Sequence, residues 1–194
     1  NKKQMKARGH IDSFHMMVIG KYFESIDDFM NVEMVNKKYE GMTGRYKYNP
    51  IPLNNERSRN MFSKIETQHI YSRKDKGWND GAIERHVYWY PVSYVEYKKK
   101  KVGSDEYKCV EYTGNDRVEY RNEIPECVNV IDIGCFFNCD SIAKIVIPTS
   151  VSSIGRHGFC GCTSLSSITI PTSVIDIGEW CFNGCSSMTS ISIP

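Results

Sequence analysis

Residues 124–192 read IPECVNVIDIGCFFNCDSIAKIV (124–146), IPTSVSSIGRHGFCGCTSLSSIT (147–169) and IPTSVIDIGEWCFNGCSSMTSIS (170–192). These are three rows of 23 residues that align without insertion or deletion, and Ile193-Pro194 opens a fourth. Ile-Pro recurs at 124, 147 and 170, valine at 128, 151 and 174, and isoleucine at 131, 154 and 177. Phenylalanine follows at 136, 159 and 182, cysteine at 139, 162 and 185, and isoleucine at 145, 168 and 191. A fixed period of this length marks repeat units that bury their apolar positions against the units above and below, because one coil cannot close a core alone.

The alternation Ile145-Val-Ile, repeated as Ile168-Thr-Ile and Ile191-Ser-Ile, predicts a short strand in each row. Stacked rows would then form a parallel sheet with strands about 4.8 Å apart. The proline after each strand removes an amide donor and forces a turn. Val, Ile and Phe should line the returning side, with Gly155 and Gly178 allowing a tight corner and Asp132 in that place in the first row. The fold class expected is α/β: a leucine-rich-repeat solenoid of 23-residue coils behind a mostly α-helical amino-terminal cap.

The row pattern IPxSVxxIGxxxFxGCxSLxxIx resembles the BspA-like (Treponema pallidum type) leucine-rich repeats of bacterial surface proteins and parasitic protozoa. The stretches Ile11–Phe29, Tyr48–Leu53 and Val92–Arg117 are similar, more loosely, to the leader of amoebal members. The resemblance implies protein–protein recognition, with adhesion to host or matrix proteins in bacterial relatives.

Ahead of the rows, residues 1–64 read as a helical cap, 65–123 as irregular leader coils and 124–194 as regular repeats. A helix over 12–23 has Asp12 or Ser13 as its cap and Phe14, Met17 and Val18 on one face, with Gly20 weakening its last turn. A second, from about Ser25 to Tyr39, aligns Ile26, Phe29, Val32, Val35 and Tyr39 and stops at Gly41. A third helix is expected within 55–64, strands within 65–71, 86–90 and 108–112, a loop at 75–81 and a helix within 93–101. The leading helix pair also has the general layout of an F-box, the ligase-docking segment of ubiquitin-ligase substrate receptors, without a diagnostic residue set.

Charge is uneven. Residues 1–123 carry 23 Lys/Arg against 18 Asp/Glu, whereas 124–194 carry Lys144 and Arg156 against five acids. That surplus is too diffuse to indicate a nucleic-acid partner. No apolar run approaches the ~20 residues of a membrane-spanning helix. The opening Asn1-Lys-Lys-Gln-Met-Lys leads into no signal-peptide core, which favours the cytoplasm, with the cell surface as the alternative.

Candidate chemistry reduces to packing. Cys139, Cys162 and Cys185 share one register, so a ladder of buried free thiols is favoured over zinc ligation or cross-coil disulfides. His157 fills a variable row position, and His10, His15, His69 and His86 belong to no motif. No catalytic residues, metal or cofactor are expected. Lys98–Lys101 reads as a solvated face, and Trp89 as core with Tyr88 and Tyr90 on the opposite side. The outward strand positions Lys144, Val146, Ser167, Thr169, Ser190 and Ser192 form the candidate binding ladder, although the same composition suits a plain solvated strand.

The expected function is a non-catalytic interaction module that binds a protein partner, in recognition or cell-surface adhesion. The alternative is an intracellular F-box-like adaptor presenting repeat-bound partners to a ubiquitin ligase. The apolar Ile191 and Ile193 of the last row also suggest self-association through an uncapped carboxyl-terminal coil.

Overall fold

The computed structural model describes residues 11–101 and 103–193; His10 and Pro194 lie outside them. The chain divides into two compact units, one running to Tyr88 with Ser104–Glu106, the other comprising Trp89–Gly103 and the chain from Tyr107 onward.

The first unit begins with α1 (Ser13–Gly20) and α2 (Ile26–Val35), then 3-10 turns at Lys37–Tyr39 and Thr43–Arg45, and α3 (Glu56–Met61). Each α-helix starts where a side chain satisfies free amides. Asp12 accepts from the His15 amide at 2.8 Å, Ser25 and Asp28 form a reciprocal capping box, and Asn55 and Ser58 form another. The α-helices are followed by β1 (Thr67–Ile70) and β2 (Arg85–Tyr88), paired in parallel. The core is aromatic. Phe29 meets Phe62 at 5.1 Å and Tyr46 at 5.9 Å, both edge-on, a geometry that contributes about 0.5–1.5 kcal/mol per pair beyond area burial.

Several expectations change here. Phe14 and Val18 face solvent, and α1 packs inward through Met16, Met17 and the buried Gly20. A Cβ on Gly20 would collide with the Tyr46 hydroxyl, which donates to the Met17 carbonyl at 2.8 Å. The glycine is thus the seat of a helix–loop contact, and the helix ends there, short of residue 23, as a weak last turn implies. The second helix ends at Val35, which is exposed, because Asn36 leaves helical geometry and caps the 3-10 turn that buries Tyr39. The loop at 75–81 is present, pinned by the buried Gln68, which donates to the Lys76 carbonyl and accepts from the Trp78 amide.

In the second unit, β3 (Val92–Ser93) leads into α4 (Tyr94–Lys100), and β5 (Val110–Tyr112) into α5 (Gly114–Tyr120). The two-residue strand β4 (Glu106–Tyr107) lies where the chain passes between the units. The rows supply β6 (Val130–Ile131), β7 (Ser153–Ile154), β8 (Ser167–Thr169), β9 (Asp176–Ile177) and β10 (Ser190–Ser192). Helix α5 was not expected. Its signal is the Thr113-x-x-Asp116 capping box, whose side chains bond reciprocally to each other's backbone.

Two of the three strands that the alternation predicts are present, β8 and β10, whereas the third is absent and a longer sheet lies elsewhere. The longer sheet, β3-β5-β6-β7-β9, runs through the Val-x-x-Ile side of the rows and takes in two strands from the leader. On the side expected to carry the sheet, only β8 and β10 pair, and Lys144–Val146 forms no strand. Several hydrogen bonds across rows join residues 23 apart, as from Ser152 to Asn129 and from Ser166 to Ala143. Between the two strips the phenylalanine rings stack in one column: Phe136 on Phe159 at 4.9 Å and 8°, Phe159 on Phe182 at 5.6 Å and 3°. Tyr112 extends the column from the leader at 6.2 Å.

The corner differs as well. Left-handed backbone falls at Gly134, His157 and Trp180, and again at Asn138, Gly161 and Gly184. Gly155 and Gly178 serve close approach instead. A Cβ on Gly155 would lie 2.7 Å from the Ile133 amide nitrogen, and one on Gly178 2.7 Å from the Gly155 carbonyl carbon. Trp89, expected in the core, is 47% exposed. Strand β2 ends at Tyr88 with Val87 as its buried member, so Trp89 falls past the alternation, with the Lys108 ammonium 5.3 Å from its ring.

Candidate binding face

The face begins with alternation along each row. Ile145 and Ile168 are buried, whereas Lys144, Val146 and Thr169 point to solvent and Ser167 is half-buried. Ser190 and Ser192 are exposed, as is Ile191 between them in the last described row. All six ladder residues therefore reach one accessible strip. Val146 is its apolar landmark, at 82% exposed.

Two recesses flank Lys144 and Val146. One, of about 410 Å³, lies between the leader and the first row and includes Asn122, Glu123, Glu126 and Pro148. The other, also about 410 Å³, lies between the first and second rows and includes Thr149, Ser167, Thr169 and Pro171. Thr149, Pro148 and Pro171 were absent from the sequence-derived set. Their signal was the Ile-Pro step that turns each row away from the strip.

The thiols sit behind the face. Cys162 donates to the Phe136 carbonyl at 3.1 Å and Cys185 to that of Phe159 at 3.2 Å, while Arg117 contacts the Cys139 sulfur. Burial pushes the Cys162 thiol up to about 12 and Cys181 up to about 11 from an ordinary 9.0, and also raises Cys135, Cys139 and Cys185. Such thiols stay protonated and unreactive near neutral pH. A folded-state value above the unfolded one means that stability is fully present below about pH 9 and falls as pH rises toward 11–12. The urea midpoint should therefore hold from about pH 7 to 8.5 and drop above about pH 9. Cys162→Ala should flatten part of that drop, and an unchanged slope would contradict the assignment.

The four described histidines make local contacts. The His15 ring bonds the Asp12 carboxylate at 2.9 Å, His69 stacks on Tyr48 at 4.3 Å, and His86 reaches the Trp78 carbonyl at 3.1 Å. His157 stands at a left-handed corner with its ring edge-on to Phe137. Lys98–Lys101 is exposed, with Lys100 paired to Glu96 at 2.8 Å and Lys101 bonded to the Tyr97 hydroxyl at 2.9 Å. Among the described residues no group of three His, Cys, Asp or Glu could hold a metal ion, and no helix is long and apolar enough to cross a membrane.

Parallel strands linked row to row, mixed with short helices, define a leucine-rich-repeat fold of the α/β class. Residues 120–194 match the family described as BspA type leucine rich repeat region (6 copies). This family is generally a non-enzymatic scaffold for protein interaction. Comparison with curated proteins gives no match. A solved leucine-rich repeat protein from Bacteroides ovatus is similar at 23% identity and a TM-score of 0.35. The similarity covers 66% of this chain and 30% of that one.

Proposed function

We propose that the chain is a non-catalytic protein-recognition module whose rows form a solenoid of 23-residue coils. It holds its partner on the strip of Lys144, Val146, Ser167, Thr169, Ser190 and Ser192. The observation that carries this reading is the exposed Val146 between two adjoining recesses, on a strip where polar and apolar groups are both accessible. Repeat proteins bind through such extended surfaces because each coil adds a similar row of side chains at a fixed step.

The test compares proteins captured from native lysate by the wild type and by the triple variant Val146→Glu/Thr169→Glu/Ser190→Glu. These side chains are exposed, so the variant should fold, and a partner should be lost from it by at least tenfold. Identical captures would sink the reading. Light scattering of the free chain, run alongside, reports any self-association through the exposed β10.

A second reading, the F-box-like adaptor, has an observation of its own. At 3.6 residues per turn, Phe14, Val18 and Ile19 fall on one arc of α1, with Ile11 and Tyr22 just outside its ends, and all five are exposed, Phe14 by 69% and Tyr22 by 83%. The opposite arc, Met16 and Met17, covers the unit's own core. An apolar arc left bare beside a covered one suits docking to a ligase scaffold subunit. Binding of a recombinant scaffold subunit, weakened by Phe14→Ser/Tyr22→Ser, supports this role. No binding removes it, and surface labelling of intact cells would favour adhesion instead.

A further inference from the structure

We infer that the recess between the first and second rows takes an acidic, extended segment of the bound partner, and that Lys144 reads its carboxylate. The inference rests on the proposed binding face and assigns its chemistry.

The ladder is open at this point. β8 pairs with β10, Ser167 opposite Ser190 and Thr169 opposite Ser192, but its other edge has no strand partner. The last link to the first row is the Ser166 amide donating to the Ala143 carbonyl at 3.2 Å, with the Ser166 hydroxyl donating to the same oxygen. Beyond it, among the described residues, no backbone hydrogen bond joins Lys144–Ile147 to Ser167–Ile170. The two rows are therefore not stitched together along this stretch, and the recess opens to the accessible strip between them. The gap is lined by Lys144, Val146, Thr149, Ser167, Thr169 and Pro171, which combine an apolar wall with hydroxyls.

Charge selects the occupant. Lys144 is the one charged residue lining this recess, a mobile ammonium on a long stem that can reach a carboxylate brought alongside it. The neighbouring recess shares Lys144 but adds Glu123 and Glu126, which repel an acid. The segment therefore runs from Lys144 across Ser167 and Thr169 toward Ser190 and Ser192, away from the glutamates. Val146 offers an apolar contact beside the carboxylate, so an acidic residue next to a small branched one fits best.

The test uses the full chain and labelled short peptides that alternate valine with aspartate, asparagine or lysine, read by fluorescence anisotropy. The wild type should bind the aspartate peptide at least tenfold tighter than the asparagine peptide. Lys144→Glu should reverse the order, so that the lysine peptide binds best. Equal binding of all three peptides, no binding of any, or an unchanged order in Lys144→Glu would overturn the inference. If the triple face variant loses a captured partner while Lys144→Glu keeps it, the binding face stands and the acidic preference falls.

Discussion

Replacing Phe159 with alanine should remove about 3–5 kcal/mol of stability, the range for truncating a fully buried aromatic side chain. The ring is the middle of the column, stacked on Phe136 at 4.9 Å and on Phe182 at 5.6 Å, and it is fully buried. Deleting it leaves a cavity that neighbouring rows cannot fill, because their backbones are held together by Phe136-to-Gly158 and Phe159-to-Cys181 hydrogen bonds of 2.8 and 2.9 Å. Phe182 is the control. It stacks on Phe159 on one side and is only partly buried, so Phe182→Ala should cost roughly half as much. Urea denaturation of both variants measures the difference. Equal losses would contradict the deeper burial of Phe159 in the column.

Asp116→Ala should be nearly as damaging, by on the order of 3–5 kcal/mol, because it strands several part-buried donors at once. The carboxylate is fully buried and accepts from the Tyr94 and Val95 amides at 3.3 and 2.7 Å, and from the Thr113 amide and hydroxyl at 2.8 and 2.7 Å. One side chain thus satisfies the first turns of both α4 and α5. Hydrogen bonds to a charged acceptor contribute about 1.5–3 kcal/mol each, and donors left unpaired add their desolvation cost. Asp116→Asn keeps one acceptor oxygen and should cost less. A second readout is local: α4 carries Lys98, Lys99 and Lys100, so trypsin should cut there faster once its amino-terminal anchor is gone. If Asp116→Ala unfolds in urea like the wild type and resists trypsin equally, the carboxylate is not the clasp described.

Much of this was legible because repetition reports geometry. Phe136, Phe159 and Phe182 recur at one step, and the rings stack as that step implies. The ladder residues also reach solvent as their alternation with Ile145 and Ile168 implies. Helix starts were legible at Asp12, Ser25 and Asn55, since a capping side chain acts within three residues of its own backbone. Thr113 and Asp116 carry the same local signature. The helix they start is only seven residues long, begins with Gly114 and has no apolar stripe, so periodicity does not mark it.

What remained hidden depends on distances between segments far apart in the chain. Alternation at Ile145-Val-Ile and at Ile168-Thr-Ile is identical in kind, yet only the second lies close enough to its neighbour to pair. Gly155 and Gly178 look like turn glycines, but neither has a positive φ, and each closely approaches the backbone of the preceding row. Phe14 and Met17 are equally apolar, and only the position of Phe29, Tyr46 and Phe62 decides which arc of α1 is covered.

The amino-acid order by itself determined which side chains occupy equivalent steps, since a strict period repeats the same local preferences from row to row. Tertiary structure alone decided which strip closes into a continuous sheet, where the ladder opens beside Lys144, and that Asp116 fastens two helices. Those outcomes turn on hydrogen-bond distances across the stack. A shift of an ångström makes or breaks such a bond without changing any residue along the chain.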